Sequence, residues 1–474
     1  MKTSTSWRES ADDTTTVVNT RWWEQFNDVI LNELIQEALA ENENLKIATA
    51  RIAEFRARLG ITASQLLPQL NAEGSFSRRK ISESLNEFNS SSTSTYSSSY
   101  ENMNGGAGIP PFSSSDFFSS FRNDYRTVLS AAYQLDLFGR IQSATDASLA
   151  DLLAQIEARR TVILTLVSSV ATGYLQLRQY DRQLAISIQT VESREKSYNL
   201  ARIRFLGGLT SELEVKQAAS ELDEAIIQTL QFKVLIAQQE NLLSVLVGHP
   251  PTAISRGRAV NEWTLPPEVP AGLPSDLLEQ RPDILQAEEQ LIAANARIGE
   301  ARALYFPDIS LTGYYGYESA ELHHLFTDPS KVWQWAGNLL QPIFAGGRIS
   351  STVDLTKAVR SEALHNYQQT VLVALQEVNN ALIAHRISKE ALQAEYRRVK
   401  NLTEYLHLAT LQYENGLVDY LNVLDAERKL FDSQLDLAQS QATVFTTLVS
   451  LYTALGGGWI IDAENLMKEE KSCK

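Results

Sequence analysis

Three observations on this 474-residue chain predict a mainly α-helical, internally duplicated fold with a small β part suited to a membrane. The chain repeats itself at a fixed offset, prolines are missing from two long stretches, and four extended segments stand at matching places in the two copies. A repeat of this kind decides architecture before any single element is assigned.

Residues 133–248 align with 341–456 at a constant offset of 208, without a slip in register. Gly139, Arg140 and Ile141 meet Gly347, Arg348 and Ile349; Gly208 and Leu209 meet Gly416 and Leu417; Gly248 meets Gly456. Upstream, "RARLGITASQLLPQLNAEGSF" at 56–76 aligns with "NARIGEARALYFPDISLTGYY" at 295–315, now at an offset of 239. The difference, 239 − 208 = 31 residues, lies between 76 and 133 of the first copy. There the stretch "NSSSTSTYSSSYENMNGGAGIPPFSSS" marks a long solvated loop by its Ser, Gly and Pro content.

None of the 13 prolines falls between 112 and 249 or after 342. A proline inside a helix costs about 3 kcal/mol, so these stretches are free to be long helices. From Arg140 to Leu206 one heptad position reads Leu149, Ile156, Ile163, Val170, Leu177, Leu184, Val191 and Tyr198. In the second copy the same spacing gives Leu417, Leu424, Phe431, Ala438, Phe445 and Tyr452. A seven-residue apolar repeat imposes left-handed supercoiling against a neighbour, although Arg160, Asp181 and Glu195 interrupt the companion positions. A helix of about 65 residues would be roughly 100 Å long, too long for a globular core, so such helices must run side by side as a bundle or tube.

The expected elements run in order through each copy. The first repeat, 25–248, holds a helix, a β-hairpin over 68–137 with the Ser-rich loop, a long helix 140–206 and a helix 209–247. The second, 275–456, holds a helix, a hairpin over 307–345, a long helix 347–415 and a helix 417–456. Segments 1–24, 249–274 and 457–474 flank and join them. The extended pieces "PQLNAEGSFSR", "YRTVLSAAYQLDLF", "PDISLTGYYGYES" and "KVWQWAGNLLQPIF" have the length and terminal aromatics of transmembrane strands, or else form two ordinary surface hairpins. Gly139–Arg140 and Gly347–Arg348 mark strand-to-helix corners, and Gly207, Gly208 and Gly416 mark helix turns. Four strands cannot close a barrel, since single-chain bacterial examples start at 8, and a bilayer tolerates no open edge. If the strands enter a membrane several chains must contribute, and a cyclic trimer would give twelve strands with the long helices gathered into a hollow cylinder.

Composition excludes several functions. Lys+Arg 42 against Asp+Glu 57 gives a net charge of −15, contrary to the basic surface that nucleic-acid binding requires. The one cysteine, Cys473, permits neither an internal disulfide nor a thiolate metal cluster. The uncharged run "TVILTLVSSVATGYLQL" at 161–177 is short of the ~20 residues of a spanning helix and reads as a buried helical segment. The start, "MKTSTSWRESADD", lacks the apolar core of a signal peptide, so the chain is either cytosolic or written without its export segment. Of six histidines only His323 and His324 adjoin, without a partner at usual metal-ligand spacing, and no phosphate loop or catalytic constellation is visible. Neither a cofactor nor a metal site is expected.

With these elements in place, the sequence resembles the outer membrane efflux proteins, TolC-like channels of tripartite pumps, and within them the OprM-type branch. The resemblance runs from "RWWEQFNDVILNELIQEAL" at 21–39 to "LYTALGGGW" at 451–459. It is carried by "YQLDLFGRI", "RPDILQAEEQLIAANARIGEARALYFPDISLTG", "GLVDYLNVLDAERKLF" and "ALGGGW". It implies a homotrimer with a twelve-stranded β-barrel in outer membrane lipid and an α-barrel crossing the periplasm. The segments 1–24, 249–274 and 457–474 would form a mixed equatorial region. It also implies a periplasmic adaptor protein and an inner-membrane pump, of RND type, as partners. OprM-type members usually begin with a lipid-carrying cysteine that is not found at the start of this sequence; either the start is trimmed or this member is unlipidated.

By motif, the resemblance places the gate at the second turn, with Leu421 as a hydrophobic ring and Asp425 as an acidic ring about the threefold axis. Tyr413 matches a position that braces the closed tip, while Val418 and Glu414 stand where some members carry arginine. Three converging carboxylates would repel one another and attract cations. A helix-dipole role for Asp425 competes with this reading, although the dipole effect fades within the first turn. At the matching positions the first copy has Leu213 and Gln217. The function implied is a passive exit duct for small molecules. A type I protein secretion duct and a soluble coiled-coil scaffold are the alternatives, and an enzyme has the least in its favour.

Overall fold

The computed structural model describes residues 21–80, 121–259, 280–456 and Ile460. The N-terminal segment up to residue 20, the Ser-rich loop, most of the Pro-rich linker, Cys473 and the rest of the C-terminal tail lie outside the described residues. Among the described residues seven helices and four strands follow one another as α1 Val29–Glu41, α2 Glu43–Ser64, β1 Gln69–Lys80, β2 Phe121–Leu135, α3 Arg140–Leu206, α4 Glu212–Val247, α5 Pro282–Ala303, β3 Asp308–Ser319, β4 Lys331–Leu340, α6 Arg348–Glu414 and α7 Tyr420–Ala454. Short 3₁₀ turns lie at Trp22–Phe26, Leu322–His324 and Asp328–Ser330. Among the described residues no helix is long and apolar enough to cross a membrane.

Two compact units divide the chain: Met1–Ala57 with Ser148–Ala294 and Ala358–Lys474, and Arg58–Ala147 with Asn295–Lys357. In the first, the uncharged run of α3 is core, with Ile163, Val167, Val170, Tyr174, Leu175 and Leu177 all buried. They pack with Leu31 and Ile35 of α1, Leu243 and Val247 of α4, and Phe445 and Leu448 of α7. Trp22 closes this core by stacking on Tyr452 at 5.2 Å.

The first helix of the repeat is two helices, because Asn42 interrupts it. Its carboxamide oxygen accepts from Leu45 N, capping α2, while its amide donates to Leu246 O at 2.8 Å. Asp28 caps α1 by accepting from Ile30 N and Leu31 N. Its other oxygen accepts from the Tyr174 hydroxyl at 3.0 Å and from Arg258 N at 3.1 Å. A Cβ on Gly257 would strike this carboxylate, so the segment past residue 250 can pass here only as glycine. Arg281, of the motif "RPDILQ", caps the far end of α7 by donating to Ala454 O at 2.8 Å, and it pairs with Asp283 and Glu377.

The second unit is a four-stranded antiparallel sheet in the order β1-β2-β3-β4. Its register separates what no single strand displays. Directly opposed residues share a face, so Leu70, Ala72, Gly74 and Phe76 fall with Tyr125, Thr127, Leu129, Ala131 and Tyr133. The same face continues through Leu311, Gly313, Tyr315 and Tyr317 to Trp333, Trp335 and Leu339. The reverse face carries Asn71, Glu73, Ser75, Arg126, Ser130, Gln134, Ser310, Thr312, Gln334 and Asn338. Trp335 and Trp333 are 77% and 68% exposed, so among the described residues nothing covers the apolar face. Gly313 leaves room for the Trp335 ring opposite it, where a Cβ would collide.

At one end of the strands the expected corners are formed by glycines at φ +70 (Gly139), +57 (Gly346) and +84 (Gly347). Arg140 pairs with Asp308 at 3.6 Å, Phe138 stacks on Phe306 at 4.8 Å, and Arg348 lines the same cleft.

Candidate functional site

The helix turns at Gly208 and Gly416 are the same device built twice. Each glycine has φ +72, and each is followed by a leucine whose N–H reaches back five residues, Leu209 to Arg204 O and Leu417 to Gln412 O, both at 2.9 Å. This pattern ties off the last carbonyls of α3 and α6. Nothing crowds either glycine, so the left-handed backbone alone demands the residue. The next helices start at Glu212 and Tyr420, three residues later than the expected 209 and 417, because Ser211 and Asp419 remain extended as N-caps. The two turns lie at the same end of the helical unit, where Ala201, Ala218, Ala409, Tyr420, Val423 and Leu424 pack into one cluster.

Around this cluster the predicted site residues take different positions. Leu421 is 63% exposed, as are Leu417, Leu209 and Leu213 to similar degrees, so a leucine edge faces outward from both turns. Tyr413 is half-buried. Its hydroxyl donates to Glu214 Oε2 on α4 at 3.2 Å, its ring lies 5.2 Å from Tyr420, and the Arg204 guanidinium sits 4.9 Å over it. Tyr413 thus meets Glu214 and Arg204, while positions 414 and 418 carry glutamate and valine.

Asp425 does not stand alone. Lys429 donates to its Oδ2 at 2.7 Å, the Tyr405 hydroxyl of α6 reaches the same oxygen at 3.3 Å, and Arg428 lies 3.7 Å from Oδ1. The Lys429 ammonium above all holds the carboxyl below the usual aspartate range. The spacing of four residues was the sequence signal for this pair, since i and i+4 share a helix face. In the first copy the corresponding positions are Gln217 and Glu221, so the pair has no counterpart there.

One helical turn further along, sequence reasoning missed a buried polar node. Arg194 is 2% exposed, pairs with Glu221 at 3.2 Å and lies over the Phe431 ring at 5.3 Å. Beside it Glu427 accepts from Ser197 Oγ at 3.3 Å, and burial pushes its carboxyl above the usual glutamate range. The residues come from α3, α4 and α7, which heptad counting treats as seam interruptions rather than partners.

Among the described residues, a sheet with one apolar face and two unpaired edges, in a chain of long paired helices tied off by identical turns, defines a membrane channel protein. The family model for outer membrane efflux proteins matches residues 34–249 and 273–457. A probable efflux pump outer membrane protein of Pseudomonas putida, TtgC, is 35% identical over 92% of this chain and 85% of its own. The cation efflux system protein CusC of Escherichia coli is 33% identical over 93% of this chain and 89% of its own. Among solved structures, the CmeC outer membrane channel of Campylobacter jejuni superposes with a TM-score of 0.85 at 26% identity, covering 97% of this chain and 93% of that one. A membrane protein from Pseudomonas aeruginosa gives 0.83 at 32% identity over 96% and 98%. The chain belongs to the outer membrane efflux protein family. It is an outer membrane channel reaching into the periplasm, the exit duct of an efflux pump.

Proposed function

We propose that three copies of the chain close one duct, with β1 of each beside β4 of the next to give twelve strands. The observation that carries this is the two-faced sheet with both edges open. Its apolar face suits lipid, its polar face suits a water-filled lumen, and open edges are untenable in a bilayer.

In this reading the gate is the turn end of the helical unit. Leu421 forms a hydrophobic ring, Asp425 a ring of ion-paired carboxylates, and Tyr413 braces the second hairpin against the first through Glu214. The tips at Gly207, Gly208 and Gly416 meet a periplasmic adaptor, and an RND-type inner-membrane pump supplies the energy. The duct itself is passive and performs no catalysis. Its cargo is small molecules, with choice left to the pump: relatives are named for toluene efflux in one case and cation efflux in another. Purified protein in detergent is expected to run as a heat-modifiable trimer and to form discrete channels in planar bilayers. A monomer without channel activity would overturn the assembly.

A further inference from the structure

The β3–β4 connection is a folded piece of chain. His324 N donates to Glu321 O at 3.2 Å in the first 3₁₀ turn, and a second turn follows at Asp328–Ser330. Leu325 anchors the loop at 5% exposure. The His324 carbonyl accepts from Thr327 N, from Thr327 Oγ1 at 2.7 Å and from Ser330 Oγ at 2.7 Å, which fixes the backbone under the histidine. Side chains three apart eclipse in a 3₁₀ turn, so the Glu321 carboxylate stands over His324.

We propose that Glu321, His323 and His324 form a binding site for a borderline divalent cation, Zn²⁺ in the first instance. Glu321 Oε2 lies 3.3 Å from His323 Nε2 and 3.5 Å from His324 Nε2, and the three ligand atoms all lie within 4.8 Å of one another. An ion with ligands at about 2.0–2.1 Å in tetrahedral geometry sets them roughly 3.3–3.4 Å apart, so the carboxylate already sits at the two required edges. The imidazole rings, 3.8 Å between centroids, present both Nε2 atoms to the same carboxylate. Two imidazoles and one carboxylate select Zn²⁺, Cu²⁺ or Ni²⁺ over Mg²⁺ or Ca²⁺, which take oxygen ligands. The residues are 57–70% exposed, leaving a fourth position to water or to an incoming group. Adjacent histidines alone carried no such signal in the sequence; the third ligand is a glutamate two and three positions before them. The site does not depend on the exit-duct reading.

The test is a Zn²⁺ titration of the full chain in detergent against a competing chromophoric chelator, with Co²⁺ absorption as a second readout. One Zn²⁺ per chain and a tetrahedral Co²⁺ spectrum are expected. Affinity should fall at least about tenfold in His323→Gln and in His324→Gln, and less in Glu321→Gln, as one ligand is lost from three. His249→Ala, which removes a separate histidine paired with Glu37, should leave binding unchanged. Equal Zn²⁺ affinity in the His323→Gln/His324→Gln double variant, or an absence of stoichiometric binding by the wild type, would overturn the site. Trimer mobility and channel conductance, measured on the same samples, report on the exit-duct reading separately.

Discussion

The Tyr413 hydroxyl donates to Glu214 at 3.2 Å, joining residues 199 positions apart and tying the second helix hairpin to the first beside their turns. The Arg204 guanidinium over the face of the same ring makes this a three-residue lock.

Removing the lock should loosen the tip without unfolding the chain. Tyr413→Phe deletes one hydrogen bond, a loss of about 0.5–1.5 kcal/mol, and keeps the ring packing. Faster amide hydrogen exchange at the end of α6 and the start of α7, with the core around Tyr174 unchanged, is the expected result. Uniform protection in both proteins would show that the lock holds nothing.

The constriction assignment predicts that Leu421→Ser with Asp425→Ala raises single-channel conductance in planar bilayers. Both side chains are exposed or partly exposed in the single chain, so the substitutions should not disturb its core. Unchanged conductance in a correctly assembled double variant would sink the gate.

Because Lys429 neutralises Asp425 within each chain, divalent cations should block the wild-type channel only weakly. If Asp425 forms the proposed ring, Lys429→Ala removes its nearest cation, and the Mg²⁺ concentration for half-block should drop several-fold. The pH profile has a definite sign. The Asp425 carboxyl is held low in the folded chain, so its pairing stabilises at pH above the ordinary aspartate range and is lost as pH falls through the lowered value. Acid should therefore weaken this contact.

Glu427 behaves in the opposite sense. Burial raises its carboxyl, so the folded chain favours the protonated form, and stability declines as pH rises from the ordinary glutamate value through the raised one. Glu427→Gln should melt higher than wild type at pH 8, with the gap closing near pH 4. A gap independent of pH would remove the titration from the account.

Neighbouring alanines test the sheet. Ala131 lies on the face of Leu70 and Gly313, Ala132 on the face of Gln69 and Thr312. Ala131→Arg should cost about 2–4 kcal/mol of membrane stability and abolish the heat-modifiable trimer, whereas Ala132→Arg should assemble. The reverse outcome would mean that the sheet faces are inverted.

The long helices were legible because their signals are local: proline absence and a heptad position unbroken from Leu149 to Tyr198. The sheet was legible in strand number and length but not in its faces. A run such as "YRTVLSAAYQL" mixes Ser, Ala and Thr on both sides, and only the register with three other strands sums those weak preferences. Lys429 beside Asp425, and Glu321 beside His324, were within reach of helical spacing rules applied to charges rather than to apolar residues. Tyr413 with Glu214 was not, because nothing in either segment specifies a contact across 199 positions.

The open edges at β1 and β4 bear on how the protein comes to exist at all. A single chain has no favourable environment for Trp333, Trp335 and Leu70 in water, and none for its unpaired strand edges in lipid. Its sheet is therefore stable only as fast as neighbours arrive, which makes folding a reaction of higher order than one. Thermal stability should rise with protein concentration, and a chain that meets no partners becomes a substrate for proteases rather than a reservoir of pre-folded subunits.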